Sequence, residues 1–141
     1  MLKYAHHVHY IVHNLEEMIA YMDKNFGMTP DSVEEHKEYG GGLKEALFQV
    51  DKTLLDIIEP TNPDSSLGRF LRDNGPGMLH VAWAIDDIEK AAKDLAAKGN
   101  RFTGQEPITE SVRGYREINI DRESSHGIWF QLCEDAKSGQ G

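Results

Sequence analysis

The sequence has a single cysteine, Cys133, in 141 residues, which excludes an internal disulfide. Its place in an apolar stretch marks it as a buried structural thiol. No apolar run is long enough to cross a bilayer, and no charged and apolar leader precedes the first strand-like stretch. Neither a membrane partner nor export is therefore expected, and the cytoplasm is the expected compartment. Basic residues are scarce, 15 Lys and Arg against 24 Asp and Glu, for a formal net charge of −9. A field of that sign repels nucleic acid and anionic membrane surfaces. An anionic small ligand would need a local basic patch, for which Lys44, Arg69, Arg72, Arg113 and Arg116 are available. At 39% hydrophobic the chain buries one sizeable core but hardly two independent ones, so a single domain over 1–141 is predicted. Within it we expect a first module over about 4–60, a linker helix over about 64–77, a second module over about 78–134, and a disordered tail from Ala136 to Gly141.

What the sequence does have is a repeat. The stretch from His7 to Glu16 superposes on the stretch from His80 to Glu89 at an offset of 73 (80 minus 7). Each copy is a short strand opening on a histidine, then an acid or amide cap, then a helix. Leu15, Met18, Ile19 and Met22 map onto Ile88, Ala91, Ala92 and Leu95, the i, i+3, i+4, i+7 stripe of an amphipathic helix. A second echo pairs Leu54–Glu59 with Trp129–Glu134 at an offset of 75 (131 minus 56), and the drift of two residues is a loop insertion. His7, Asp56, His80 and Gln131 thus stand at matched places in two copies of one unit.

The first copy reads as a strand over 7–12, a helix capped by Asn14 with Glu17 completing a capping box and Gly27 stopping it, a polar edge strand over 32–39, a flexible turn at Gly40–Gly42, and a hairpin of 43–50 and 53–59 around Asp51-Lys52. Asp64 is expected to cap a short helix over 65–73 that ends at Asn74-Gly75-Pro76-Gly77. The second copy reads as a strand over 79–85, a helix over 87–98, a weak strand near 102–109, and strands near 115–121 and 127–133. The fold class is therefore α+β, with two tandem βαβββ modules forming a cupped, partly open mixed sheet around a metal cleft.

A strand sends alternate side chains to one face, so His7, His9 and Ile11 point one way. A pseudo-twofold relation between the modules would bring His7, Asp56, His80 and Gln131 to one point. Two imidazoles, a carboxylate and an amide carbonyl suit a divalent ion such as Co, Ni, Mn, Zn or Fe(II), with positions left open for a chelating substrate. Taken singly, a strand-start histidine is usually satisfied or exposed, and Asp56 alone could be an outward polar residue; the duplication is what joins them.

At these residues the chain resembles the vicinal oxygen chelate superfamily, which contains glyoxalase I, methylmalonyl-CoA epimerases, extradiol dioxygenases and the fosfomycin and bleomycin resistance proteins, with the epimerases nearest. The resemblance runs through the His7 strand with Asn14-Leu15-Glu16, Leu55–Pro60 with Asp64-Ser65-Ser66, Leu79–Trp83 with Asp86-Asp87-Ile88, and Gly127–Leu132. It implies a metal-dependent epimerase or isomerase that removes a proton alpha to a carbonyl, on a methylmalonyl-CoA-like acyl-CoA thioester. It further implies that His7, Asp56, His80 and Gln131 are ligands, that Glu45 falls at a catalytic glutamate, and that the protein is a homodimer. Three departures stand out: Gln131 replaces the usual glutamate and cannot take a proton, Asp56 stands where Gln or Glu is usual, and His9 occupies a position small in the epimerases. With Gln131 inert, the proton acceptors are Glu45 on one side and His9 or Asp56 on the other. Three alternatives remain. One is a glyoxalase I-type lyase, one an Fe(II) ring-cleavage dioxygenase built on His7, His80 and Asp56, and one a metal-free small-molecule binding protein of the resistance type.

Overall fold

The structure, a computed structural model, describes residues 1–135, so the tail over 136–141 lies outside the described residues. In chain order its elements are β1 (Ala5–Ile11), α1 (Leu15–Phe26), β2 (Ser32–His36), a 3-10 turn (Tyr39–Gly41), β3 (Leu43–Val50), β4 (Thr53–Pro60), α2 (Ser66–Asn74), β5 (Gly77–Ile85), α3 (Ile88–Ala97), β6 (Thr109–Glu110), β7 (Arg116–Asn119) and β8 (Phe130–Glu134). This is a mixed α+β fold in which βαβββ occurs twice, as the repeat predicts. The two repeated helices begin alike. Asn14 Oδ1 accepts from Glu17 N at 3.0 Å and Asp87 Oδ1 from Lys90 N at 3.0 Å, each satisfying one of the backbone donors a helix start leaves over. Glu59 Oε1 accepts a further one, from Leu15 N at 2.7 Å. Gly27 closes α1 in the left-handed conformation at φ 65°.

The chain divides into two compact units, one of residues 7–79 and one made of residues 1–6 with the chain from His80 onward. In the first, the strand order is β2-β3-β4-β1, with β1 parallel to β4 and the other pairs antiparallel. Leu15 and Met22 of α1 pack on Ala46, Phe48 and Ile57, with Tyr10, Val12 and Leu55 beside them. The opposite sheet face carries His7, His9 and Ile11, Asp56 and Ile58, and Leu43 and Glu45, because the pairings His9↔Asp56 and Glu45↔Ile58 hold these positions in phase. In the second unit the order is β5-β8-β7-β6, with β5 parallel to β8, and residues 3 and 4 bond to Ala84 on β5. Its core, Ile85, Ile88, Ala91, Ala92, Ile118, Ile120 and Leu132, lies on the α3 face. His80 and Gln131 are also buried, at 5% exposure each, but belong to the other face by alternation.

Register makes the repeat concrete. Opposite Asp56 stands His9, and opposite Gln131 stands Ala82, the residue that the offset of 73 (82 minus 9) pairs with His9. The two parallel strand pairs are therefore equivalent in register, and at this pair the copies differ on both strands, His9 against Ala82 and Asp56 against Gln131.

Some sequence expectations shift. The cap of α2 is Ser65, whose Oγ accepts from Gly68 N at 3.0 Å, and not Asp64, which sits one residue earlier in the turn. The weak strand near 102–109 reduces to a Phe102–Ile120 bridge and the two residues of β6, because Gly104 has φ 92° and Pro107 lacks an N–H to donate. The last strand starts at Phe130 because His126 and Gly127 hold positive φ in a turn. The expected edge strand stops at His36, where the chain bends toward the 3-10 turn.

Gly68 marks the closest backbone approach. A Cβ there would lie 2.3 Å from Asn62 O and 2.8 Å from Pro63 backbone atoms. Although alanine is worth about 1 kcal/mol over glycine inside a helix, Gly68→Ala is expected to lower stability by about 1–3 kcal/mol, the usual cost of overpacking. Urea titration followed by circular dichroism checks this; a midpoint raised above that of the parent would show that α2 shifts to make room.

Candidate active site

In the first unit the sheet face away from α1 gathers acid and imidazole. His9 lies on β1 at 9% exposure, Asp56 on β4 at 1% and Glu45 on β3 at 2%. Their donor atoms all lie within 4.8 Å of one another, and His9 Nε2 is 3.5 Å from Asp56 Oδ2. His7 is buried two residues upstream on the same face, its ring centroid 6.3 Å from that of His9. Two carboxylates taken out of water side by side carry a large desolvation and repulsion cost, which a divalent cation or protons on the neighbouring imidazoles offset. Oxygen and imidazole donors of this kind fit a borderline divalent ion.

Glu45 is held from its other side. His36 Nε2, at the end of β2, is 3.1 Å from Glu45 Oε1 and 3.4 Å from Glu34 Oε2. The ring of Tyr39 meets the His36 ring edge-on at 5.5 Å and limits its rotation. Sequence reasoning missed His36, treating 32–39 as a polar edge. The available signal was the alternation of Glu34 and His36, which places both on the face that Glu45 occupies across the antiparallel pair Glu34↔Glu45.

In the second unit His80 Nε2 is 3.3 Å from Gln131 Oε1. Which way the Gln131 amide points is decided by its neighbours. Asn119 Oδ1 accepts from Trp129 Nε1 at 2.8 Å and from Gln131 Nε2 at 2.9 Å, so the Gln131 nitrogen faces Asn119 and its carbonyl oxygen faces His80. Gln131 is thus presented through its only ligating atom. The His80 and Trp129 rings lie 4.1 Å apart, and Arg122 sits over the Trp129 ring at 5.3 Å; Trp129 and Arg122 line a cavity of about 310 Å³ together with Thr103, Ile120 and Asp121. Neither Asn119, Trp129 nor Arg122 was singled out from sequence.

Elsewhere on this unit burial favours neutral forms. Cys133 is fully buried, and desolvation pushes its thiol well above the usual range, as expected of a structural cysteine. Burial also raises the Glu117 carboxyl and lowers His6. Of the cations named as phosphate contacts, Arg116 is engaged by Glu134 at 2.6 Å and Glu89 at 2.9 Å. Lys44 lies 3.9 Å from Glu59, and Arg72 lies 3.5 Å from Asp73.

Residues 6–117 match the family model for the glyoxalase/bleomycin resistance protein/dioxygenase superfamily, most of the chain. The chain belongs to this superfamily. Within the superfamily it is similar to the uncharacterised protein YqjC of Bacillus subtilis, 23% identical over 131 residues that cover 91% of this chain and 89% of the relative. It is also similar to the mitochondrial methylmalonyl-CoA epimerase of Dictyostelium discoideum, 25% identical over 129 residues, covering 91% of this chain and 76% of that one. Among solved structures, a variant of Streptomyces coelicolor methylmalonyl-CoA epimerase in complex with 2-nitronate-propionyl-CoA superposes with a TM-score of 0.82 at 26% identity, covering 97% of each chain. No helix among the described residues is long and apolar enough to cross a membrane.

Proposed function

We propose that this superfamily member is an epimerase or isomerase that removes and returns a proton alpha to the carbonyl of a methylmalonyl-CoA-like thioester. The observation that carries this reading is the burial of two carboxylates, Glu45 and Asp56, with donor atoms within 4.8 Å of each other and of His9. One carboxylate then serves a cation and the other a proton. The similarity to methylmalonyl-CoA epimerases supports the choice of substrate class.

The ligands proposed are His7, Asp56, His80 and Gln131; a divalent ion bound there would supply Lewis-acid stabilisation of the developing enediolate charge. Everything else falls to the chain. Glu45 takes the α proton as general base, since its carboxylate is buried and held by His36 while Gln131, the residue at the usual basic position, has no proton-accepting form. His9, beside Asp56, is the acceptor on the opposite face or the donor that orients the substrate's own carboxylate. The buried, apolar strands around these groups exclude water from the carbanion-like intermediate. Arg122, beside Trp129, supplies a positive charge to a ligand bearing phosphates. The protein is proposed to work as one domain and as a homodimer.

The test is direct. The purified protein, assayed for metal and then incubated with methylmalonyl-CoA in D2O, is expected to carry a divalent ion and to place deuterium at the α carbon, read by mass spectrometry. Absence of exchange in metal-replete protein, with methylmalonyl-CoA and with other 2-substituted acyl-CoA thioesters, would sink the proposal.

A further inference from the structure

His36 is an imidazole held between two carboxylates of very different exposure. Glu45 is 3% exposed in its side chain, His36 21% and Glu34 56%, so the three form a graded line from the buried interior to water. Both carboxylates address the same ring nitrogen, Nε2, at 3.1 and 3.4 Å, which means a proton can arrive from one and leave to the other without a ring flip. The backbone holds this arrangement in place. Glu34 and Glu45 are directly opposed in the β2–β3 pairing, His36 is two residues along on the same face, and Tyr39 packs edge-on against its ring. A buried carboxylate that accepts a proton from carbon must discard it before it can act again in the same direction. Its burial removes the direct route to solvent.

We propose that His36 and Glu34 form a proton relay that resets Glu45 between turnovers by connecting it to solvent. The inference rests on the reading of Glu45 as the general base. In the abstraction step the C–H bond breaks, its electron pair passes to the carbonyl oxygen, and the proton forms an O–H bond on Glu45. In the reset step that O–H bond breaks as the proton forms an N–H bond on Nε2 of a His36 ring carrying its other proton on Nδ1. The resulting imidazolium then passes the Nε2 proton to Glu34, which loses it to water. No oxidant, reductant or co-reactant is needed, and in the reverse direction the same line delivers a proton inward.

The relay makes a kinetic signature that a purely supportive histidine does not. Reset is outside the steps that govern kcat/KM, so its loss lowers kcat alone, whereas a misplaced Glu45 lowers both. His36→Gln keeps an N–H that can donate to Glu45 but has no second protonation state. In epimerisation assays with methylmalonyl-CoA, the metal-loaded His36→Gln enzyme is expected to show kcat reduced by about tenfold or more, within the range of a lost proton-transfer group, with kcat/KM nearly unchanged. Imidazole added to the buffer is expected to restore kcat in the variant and leave the parent unaffected. If kcat and kcat/KM fall together without rescue, or if neither moves, the relay is overturned while Glu45 keeps its role. If the parent protein itself exchanges no α proton, the proposed activity and the relay fall together, an outcome distinct from either of those.

Discussion

Replacing Glu45 by glutamine is expected to slow deuterium exchange at the substrate α carbon by about 10²-fold or more, the scale on which a positioned general base contributes. The substitution is nearly isosteric at a residue only 2% exposed, so it tests protonation chemistry with little change in packing. An amide can still meet His36 but cannot receive a proton. The effect should appear in kcat and kcat/KM together, because the lost interaction belongs to the transition state of abstraction. Mass spectrometry of recovered thioester gives the rate, and circular dichroism establishes that the fold persists. Should exchange continue at the parent rate in Glu45→Gln while His9→Ala or Asp56→Asn abolishes it, the base sits on β1 or β4 instead.

Removing His80 should be at least as severe. His80→Ala is expected to leave the purified protein without stoichiometric metal and to lower turnover by about 10³-fold, since loss of Lewis-acid stabilisation is worth several kcal/mol and each 1.36 kcal/mol is tenfold in rate. The fold should survive. His80 lies on the face away from the cluster of Ile85, Ile88, Ile118 and Leu132, and the groups it leaves behind, Trp129 and Gln131, remain tied to Asn119. Elemental analysis beside thermal unfolding reads both quantities. A variant that keeps its metal but unfolds would make His80 a core histidine whose task is to stack on Trp129.

What could be read from sequence follows the range of the forces involved. Helix starts are local: Asn14 and Asp87 cap by reaching three residues along the chain, so the two βαβββ copies were legible from spacing alone. The hairpin of β3 and β4 was equally local, with Asp51 at its turn in a positive-φ conformation. Strand alternation also put His7 and His9 on one face. Beyond that the information becomes relational. That His9 stands opposite Asp56 depends on the register of two strands joined through α1, β2 and β3, which no short window contains. His36 was missed for the same reason, because its meeting with Glu45 depends on a pairing closed through a glycine turn. At Gly42, the last residue of that turn, φ is 99° and an added Cβ would meet Thr61 Oγ1 at 2.7 Å and Lys37 O at 3.2 Å, so the path that delivers Glu45 to His36 needs a residue without a Cβ at this point. The orientation of Gln131 was hidden in another way, since it is decided by Asn119 and Trp129, one on the neighbouring strand and the other just before β8.

The attachment of residues 1–6 to the later unit has a consequence for how the chain is made. Lys3 and Tyr4 bond to Ala84 through the backbone, Lys3 reaches Asp86 at 2.8 Å and Asp135 at 2.7 Å, and Tyr4 bonds to Asp135. As the polypeptide leaves the ribosome, residues 7–79 can collapse as an uninterrupted stretch, but the opening residues have no docking edge until β5 has been synthesised some eighty residues later. Residues 1–6 are therefore made before the strand they dock on and settle only after it. The chain path thus crosses the repeat boundary, for a cut at the midpoint would leave Ala84 on β5 without the backbone partners it finds in Lys3 and Tyr4, and residues 1–6 without an edge to dock on.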